Sequence, residues 1–253
     1  MRTVLITGAS SGIGAACAKV LAKEGNYRLL LCARREEKLA ELKVELQQFV
    51  LGLEVHTFVL DVRNRDEVLT SIENLPSEWK NVDVLINNAG LSQGLDALQD
   101  GDLEDWDRMI DTNVKGLLYV TKAVSSLLKL SNNAHIVNIG SIAGKEVYPN
   151  GNVYCATKHA VDALNKAMRI DLLPFGIKVS AINPGMVETE FSEVRFHGDK
   201  ERAKSVYTGL TPLSGEDIAE TIAFVLSRPA HVNINDLLIM PTAQANGTIV
   251  NRK

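Results

Sequence analysis

The sequence predicts an α/β chain whose core is one doubly wound parallel sheet of about seven strands with helices on both faces. Three observations carry this. Short, nearly continuous runs of Val, Ile and Leu read as strands buried on both faces. Between them lie longer stretches of helical period, the pattern of βαβ units. The 253 residues, 45% hydrophobic and 23% charged, contain no low-complexity tract and no fixed-period repeat, so residues 1–253 read as a single domain.

The elements follow in order. A strand at Thr3 to Thr7 runs through a glycine-rich turn into a helix from Gly12 to Glu24. Further strands are expected at Arg28 to Cys32, Val55 to Leu60, Val82 to Asn87, Ile136 to Gly140, Lys178 to Asn183 and Leu237 to Met240. The intervening helices are expected near Glu36 to Phe49, Asp66 to Leu75, Leu103 to Leu130, Val153 to Leu173 and Gly215 to Ser227. Pro174 and Gly176 close the fifth helix, since neither continues one readily. Residues 186–212 show no clear period but follow the carboxyl end of a strand, where ligands sit in open α/β sheets. That stretch is expected to be a substrate lid.

Composition narrows the function. A net charge of -4 and a pI near 5.8 argue against nucleic acid or anionic lipid as partners, because phosphate recognition draws on dense Lys/Arg patches. A small-molecule partner fits better. Cys17, Cys32 and Cys155 show neither metal-ligand spacing nor an even count for disulfides and read as buried free thiols. His56, His135, His159, His197 and His231 form no ligand cluster, so no metal is expected. The apolar stretch Val4 to Ile6 is too brief for a signal-peptide core and no run reaches membrane-spanning length, so a cytoplasmic protein is expected.

The chemistry begins at Thr7 to Gly14, which reads TGASSGIG directly after a strand and directly before a helix. Glycines there let the backbone turn tightly and approach a pyrophosphate, whose charge the helix start stabilises. The contacts of such a loop would come from Gly8, Ser10, Ser11, Gly12, Ile13 and Gly14. Further along come Asp61-Val62, Asn87-Asn88-Ala89-Gly90, Asn113, Ser141, Tyr154 with Lys158 four residues on, and Pro184-Gly185 followed by Thr189. Taken in this order the motifs resemble the short-chain dehydrogenase/reductase family, a Rossmann-type fold, over the whole chain. The resemblance implies that Asp61 and Val62 line an adenine, that Asn88, Ala89 and Gly90 flank the cofactor, and that Val187 and Thr189, just past Pro184 and Gly185, meet the nicotinamide carboxamide. Singly, Asp61 reads equally as a strand-end cap, and Asn87 and Asn88 as turn residues.

After the second strand the chain reads Cys32-Ala33-Arg34-Arg35, where an NAD enzyme would carry an acidic residue for the ribose 2′-hydroxyl. A guanidinium suits a phosphate, so Arg34 is the candidate for the 2′-phosphate of NADP(H), the alternative being a solvated charge at a helix start. Tyr154 and Lys158 share one helix face, so the lysine can stabilise a phenolate that is otherwise a poor base. Ser141, at the carboxyl edge of the sheet, is placed to hold a substrate oxygen. Alone, a YxxxK spacing or a serine after a strand means little; the reading rests on their combination with the glycine loop. In the resemblance, Tyr154 exchanges a proton with the substrate oxygen while NADPH exchanges hydride with carbon, and Asn113 seats a water in a relay to Lys158.

The stretches Pro184 to Tyr207 and Ser227 to Ala245 are similar to NADP-dependent 3-hydroxy acid dehydrogenases, which also act on serine or allo-threonine. This implies a short 3-hydroxy acid as substrate, with reduction of another small aldehyde or ketone, such as a sulfonated aldehyde, as the alternative. A silent NADPH-binding regulator is the alternative of another class. A substrate carboxylate needs a cation, for which Arg195, between Val194 and Phe196, is the first candidate and Lys145 the second. Arg195 also reads as a structural ion pair holding the lid. The resemblance implies a homotetramer pairing the helix lined by Ala156, Ala160, Ala163 and Ala167 with the one carrying Trp106, Met109, Leu117 and Leu128; packing on their own sheet is the alternative.

Overall fold

The computed structural model describes residues 1–253. Seven parallel strands form one sheet in the order β3-β2-β1-β4-β5-β6-β7, comprising β1 (Arg2–Thr7), β2 (Tyr27–Ala33), β3 (Val55–Val59), β4 (Val84–Asn87), β5 (His135–Ile139), β6 (Lys178–Pro184) and β7 (Asp236–Ile239). Chain order reverses between β1 and β4, which opens a crevice at their carboxyl ends.

The helices are α1 (Gly12–Lys23), α2 (Glu36–Phe49), α3 (Arg65–Glu73), α4 (Leu103–Ile110), α5 (Leu117–Leu128), α6 (Asn152–Asp171), α7 (Phe191–Arg195), α8 (Lys200–Ser205) and α9 (Gly215–Leu226). Alternation along the strands divides the core. Val4, Ile6, Leu29 and Leu31 face α1, α2 and α9, whereas Leu5, Leu30 and Leu85 face α3, α5 and α6. Each fully buried Leu or Ile contributes about 1.5–3 kcal/mol by leaving water, so both faces of the sheet are closed firmly beneath its carboxyl edge. Cys17, Cys32 and Cys155 are buried free thiols, and burial pushes the Cys17 thiol up to about 12.

Two readings of the sequence are refined. The stretch expected as one helix over Leu103 to Leu130 is interrupted by a π-helical turn at Asp111–Gly116. Asn113 inside it is drawn inward: its Oδ1 accepts from the Leu91 N–H at 2.9 Å, and its Nδ2 donates to the Leu91 carbonyl at 2.8 Å and to Thr157 Oγ1 at 3.1 Å. The extra residue of a π turn lets the side chain leave the regular helical register to make these bonds. Residues 186–212, without period in sequence, carry the short helices α7 and α8. Met109, Leu117 and Leu128 are buried against their own core, while Ala156, Ala163 and Ala167 are exposed along α6. No helix is long and apolar enough to cross a membrane.

Candidate active site

The crevice is a cleft of about 630 Å³, within the range of small-molecule sites. Its floor is the loop from β1 to α1. Gly8 (φ 66°) and Gly12 (φ 53°) sit in the left-handed region that side chains rarely adopt. Ser11, the N-cap of α1, makes no side-chain cap, and the first turn carries no acidic residue, so the helix start is open to an anion. Gly8, Ser10, Ser11, Gly12 and Ile13 line the cleft. Gly14 does not; a Cβ there would overlap the Gly8 carbonyl, so its task is close packing of α1 on the loop.

The segment after β4 is pinned to this loop. Thr7 Oγ1 accepts from the N–H groups of Asn88 and Ala89, both at 3.0 Å, and Asn88 Nδ2 donates to the Thr7 carbonyl at 2.8 Å. Asn88, Ala89 and Gly90 therefore line the cleft, whereas Asn87 turns into the sheet, donating to Thr121 Oγ1 and Asn138 Oδ1. Asp61 and Val62 line the far wall beside Arg34. Partial burial works to raise the Asp61 carboxyl, but hydrogen bonds from Arg63 outweigh it and hold that carboxyl below its usual range. The adjacent Arg35, not a candidate from the sequence, lines the cleft too, donating to Ser10 Oγ at 3.3 Å and pairing with Glu190 at 2.9 Å.

The reactive groups come from three elements. Ser141 follows β5 and packs against α6 because Gly144 lets the turn approach the Lys158 backbone, where a Cβ would lie 2.6 Å from the Lys158 carbonyl oxygen. Tyr154 and Lys158 lie on one face of α6, both buried, with the Lys158 Nζ 5.9 Å from the Tyr154 ring centre. Lys158 donates to the Ile139 carbonyl at 2.8 Å, and burial lowers its pKa to about 8. Burial also pushes the Tyr154 phenol up, the nearby Tyr148 adds to this, and Arg195 and a hydrogen bond with Ser141 act the other way. Two cations thus stand beside the Tyr154 ring, Lys158 on its own helix face at 5.9 Å and Arg195 at 5.3 Å from the ring centre.

Arg195 is held over the rings of Tyr154 and Phe191, at 5.3 and 5.2 Å from their centres. Its Nε donates to Ser92 Oγ at 3.1 Å and its Nη2 to Tyr148 Oη at 2.9 Å. These neutral acceptors leave its charge uncompensated and further donors of its five free, and no carboxylate pairs with it. The alternative of an ion pair holding the lid therefore falls away. Lys145 is not at the substrate end: it bridges Asp162 and Asp236 at 2.5 Å each, tying the turn after Ser141 to α6 and β7. Asp236 is 91 residues away, so this pairing was invisible in the sequence. Asn113 likewise does not line the cleft, its side chain being spent on Leu91 and Thr157. Pro184, Gly185, Val187 and Thr189 close the other wall, with Thr189 3.4 Å from where a Gly12 Cβ would stand. Tyr148 and Tyr207, which line the cleft, and Ser92, which accepts from Arg195 Nε, are not among the sequence candidates, since isolated polar residues in irregular segments carry no periodic signal.

A dinucleotide fits these residues. The tight glycine turn, the open helix start and the two arginines beyond β2 would suit a pyrophosphate and a 2′-phosphate, and the cleft continues past them to Ser141, Tyr154 and Arg195.

Comparisons with known proteins agree with the geometry. Residues 2–200 match the sequence profile described as short chain dehydrogenase. The chain is 48% identical over 243 residues to sulfoacetaldehyde reductase 2 of Chromohalobacter salexigens, covering 96% of this chain and 95% of the relative. It is 44% identical over 252 residues to the NADP-dependent 3-hydroxy acid dehydrogenase of Schizosaccharomyces pombe, covering 100% of this chain and 97% of the relative. The solved closed form of serine dehydrogenase complexed with NADP+ superimposes with a TM-score of 0.92 at 42% identity, covering 100% of both chains. With this sheet order, this glycine loop and Ser141, Tyr154 and Lys158 converging on one cleft, the chain belongs to the short-chain dehydrogenase family of oxidoreductases.

Proposed function

We propose that this protein is an NADP-dependent oxidoreductase acting at carbon 3 of a short 3-hydroxy acid of the serine, allo-threonine or 3-hydroxypropionate type. The observation that carries it is Arg195, an uncompensated guanidinium over the Tyr154 ring, where it can hold a substrate carboxylate beside the proton-transferring phenol. Relatives of two kinds support it: those described as NADP-dependent 3-hydroxy acid dehydrogenases and the solved serine dehydrogenase. A sulfonate would fit the same guanidinium, and the relative at 48% identity acts on a sulfonated aldehyde by its name, so sulfoacetaldehyde reduction is the second reading.

The cofactor would lie along Gly8 to Ile13, Asn88 to Gly90, Asp61, Val62 and Pro184 to Thr189, with Arg34 and Arg35 at its 2′-phosphate. When bound, it supplies or accepts the hydride. Ser141 holds the substrate oxygen, and Tyr154, whose proton is retained at neutral pH by burial, delivers that proton to the oxygen or takes it back. Lys158 holds the α6 face beneath it, and Asn113 fixes the loop at Leu91 that forms the adjoining wall. Residues 186–212 act as the substrate lid. The exposed Ala156, Ala163 and Ala167 favour assembly through α6, as in a homotetramer.

Purified protein assayed by NADPH absorbance against serine, allo-threonine, 3-hydroxypropionate and sulfoacetaldehyde tests the reading. Turnover of the hydroxy acids with NADP+ is expected; turnover of sulfoacetaldehyde alone selects the second reading. NADP+ should be preferred over NAD+, and Arg34→Ala should erode that preference about tenfold to a hundredfold, the worth of a charge-assisted phosphate contact. An unchanged ratio in the variant would remove Arg34 from the 2′-phosphate site.

A further inference from the structure

We infer that Tyr207 is a positioning residue whose single hydroxyl locks the nicotinamide-facing backbone at Val187 to the helix that carries Arg195. The inference rests on the reading of the cleft as an NADP(H) site. Met186 and Glu188 are tied to Leu213, the Met186 carbonyl accepting from the Leu213 N–H at 2.9 Å and the Glu188 N–H donating to the Leu213 carbonyl at 2.8 Å. Backbone groups alternate in direction along such an extended stretch, so the Val187 carbonyl points away from Leu213, and Val187 itself lines the cleft. The Tyr207 hydroxyl donates to that carbonyl at 2.8 Å.

The same oxygen is 2.7 Å from Ser192 Oγ. A phenol has one proton, and it is used on Val187, so Ser192 is the donor and Tyr207 the acceptor. Ser192 is buried in α7, one turn before Arg195. Tyr207 lies just beyond α8 and also lines the cleft, and burial pushes its phenol up, keeping the proton in place through neutral pH.

One hydroxyl thus bonds to two other pieces of chain from just past α8: the wall at Val187 and α7 with Arg195. Removing it leaves a carbonyl and a buried hydroxyl without partners, and both relax toward whatever contacts they can find. On the reading of the cleft as an NADP(H) site, the carbonyl belongs to the stretch beside the cofactor and the serine to the helix that carries Arg195. That asymmetry makes the two arms separable by mutation.

The test measures NADPH dissociation constants by fluorescence titration without substrate, and KM for the turned-over substrate, in wild type, Tyr207→Phe and Ser192→Ala, with folding checked by circular dichroism. Tyr207→Phe is expected to weaken both NADPH binding and substrate KM by about three- to tenfold, since both arms are cut. Ser192→Ala should raise substrate KM by a similar factor while leaving NADPH affinity within about twofold. Unchanged NADPH affinity in folded Tyr207→Phe, or an equal loss of NADPH affinity in Ser192→Ala, overturns the two-armed role. Wild-type protein that fails to bind NADPH overturns the underlying cofactor reading as well and is recognised before any variant is compared. If Tyr207→Phe does not fold, the serine variant decides alone, because the inference requires its loss to fall on substrate and not on cofactor.

Discussion

Tyr154→Phe is expected to lower turnover about a hundredfold to ten-thousandfold while leaving NADPH affinity near wild type, because the ring stays and only the transferable proton goes. The packing supports a clean substitution. Tyr154 is buried, its ring is edge-on to Phe191 at 5.6 Å and under Arg195 at 5.3 Å, and none of these contacts needs the hydroxyl. The sign of the pH dependence follows from the same burial. A phenol held protonated above its usual range is ready to donate, so reduction should be nearly flat through neutral pH. Oxidation must first place the proton elsewhere, so its rate should climb as pH rises. Steady-state rates in both directions across pH, with NADPH titrations on the variant, check this. Retention of more than about a tenth of wild-type turnover would be incompatible with Tyr154 as the proton donor.

Arg195→Ala should cost about tenfold to a hundredfold in kcat/KM on a 3-hydroxy acid, the worth of one charge-assisted contact in a partly closed site, and much less on an uncharged aldehyde of similar size. The difference between the two substrates is the informative quantity. Arg195 also packs on Tyr148, Tyr154 and Phe191, so some loss common to both substrates is expected from repacking alone. Only the charge-dependent part reports a carboxylate or sulfonate. Paired assays on wild type and variant separate the two parts, and equal losses on both substrates would reject the anion-binding role. Arg195→Lys is expected to recover little of the charged-substrate activity, since an ammonium cannot satisfy Ser92 and Tyr148 and still present a planar fork.

Much of the catalytic wall was legible because its signals are local. The glycine loop announces itself by spacing and by its place between a strand and a helix, and both survive folding unchanged as β1, the turn and α1. The Tyr154 and Lys158 pair needs only helical geometry to share a face. Lys145 shows the opposite case. It lies four residues past Ser141 in sequence, yet a lysine follows its nearest carboxylates, and those arrive from α6 and β7. The π turn at Asp111–Gly116 was likewise hidden, because its driving contacts, Leu91 and Thr157, are 22 and 44 residues from Asn113.

By itself, then, the sequence determined the class of the sheet, the number and places of its strands, the glycine loop and the residue types available for proton transfer. Those depend on side-chain periodicity and backbone permissiveness within a few residues, which the chain carries wherever it goes. Tertiary structure alone decided that Arg195 comes to stand over the reactive tyrosine, that Lys145 is spent on a structural bridge, and how Tyr207 joins Val187 to Ser192. Such pairings are settled by which polar groups are left without water once both faces of the sheet have closed, and burial makes each of them find a partner from whatever element stands nearest in space.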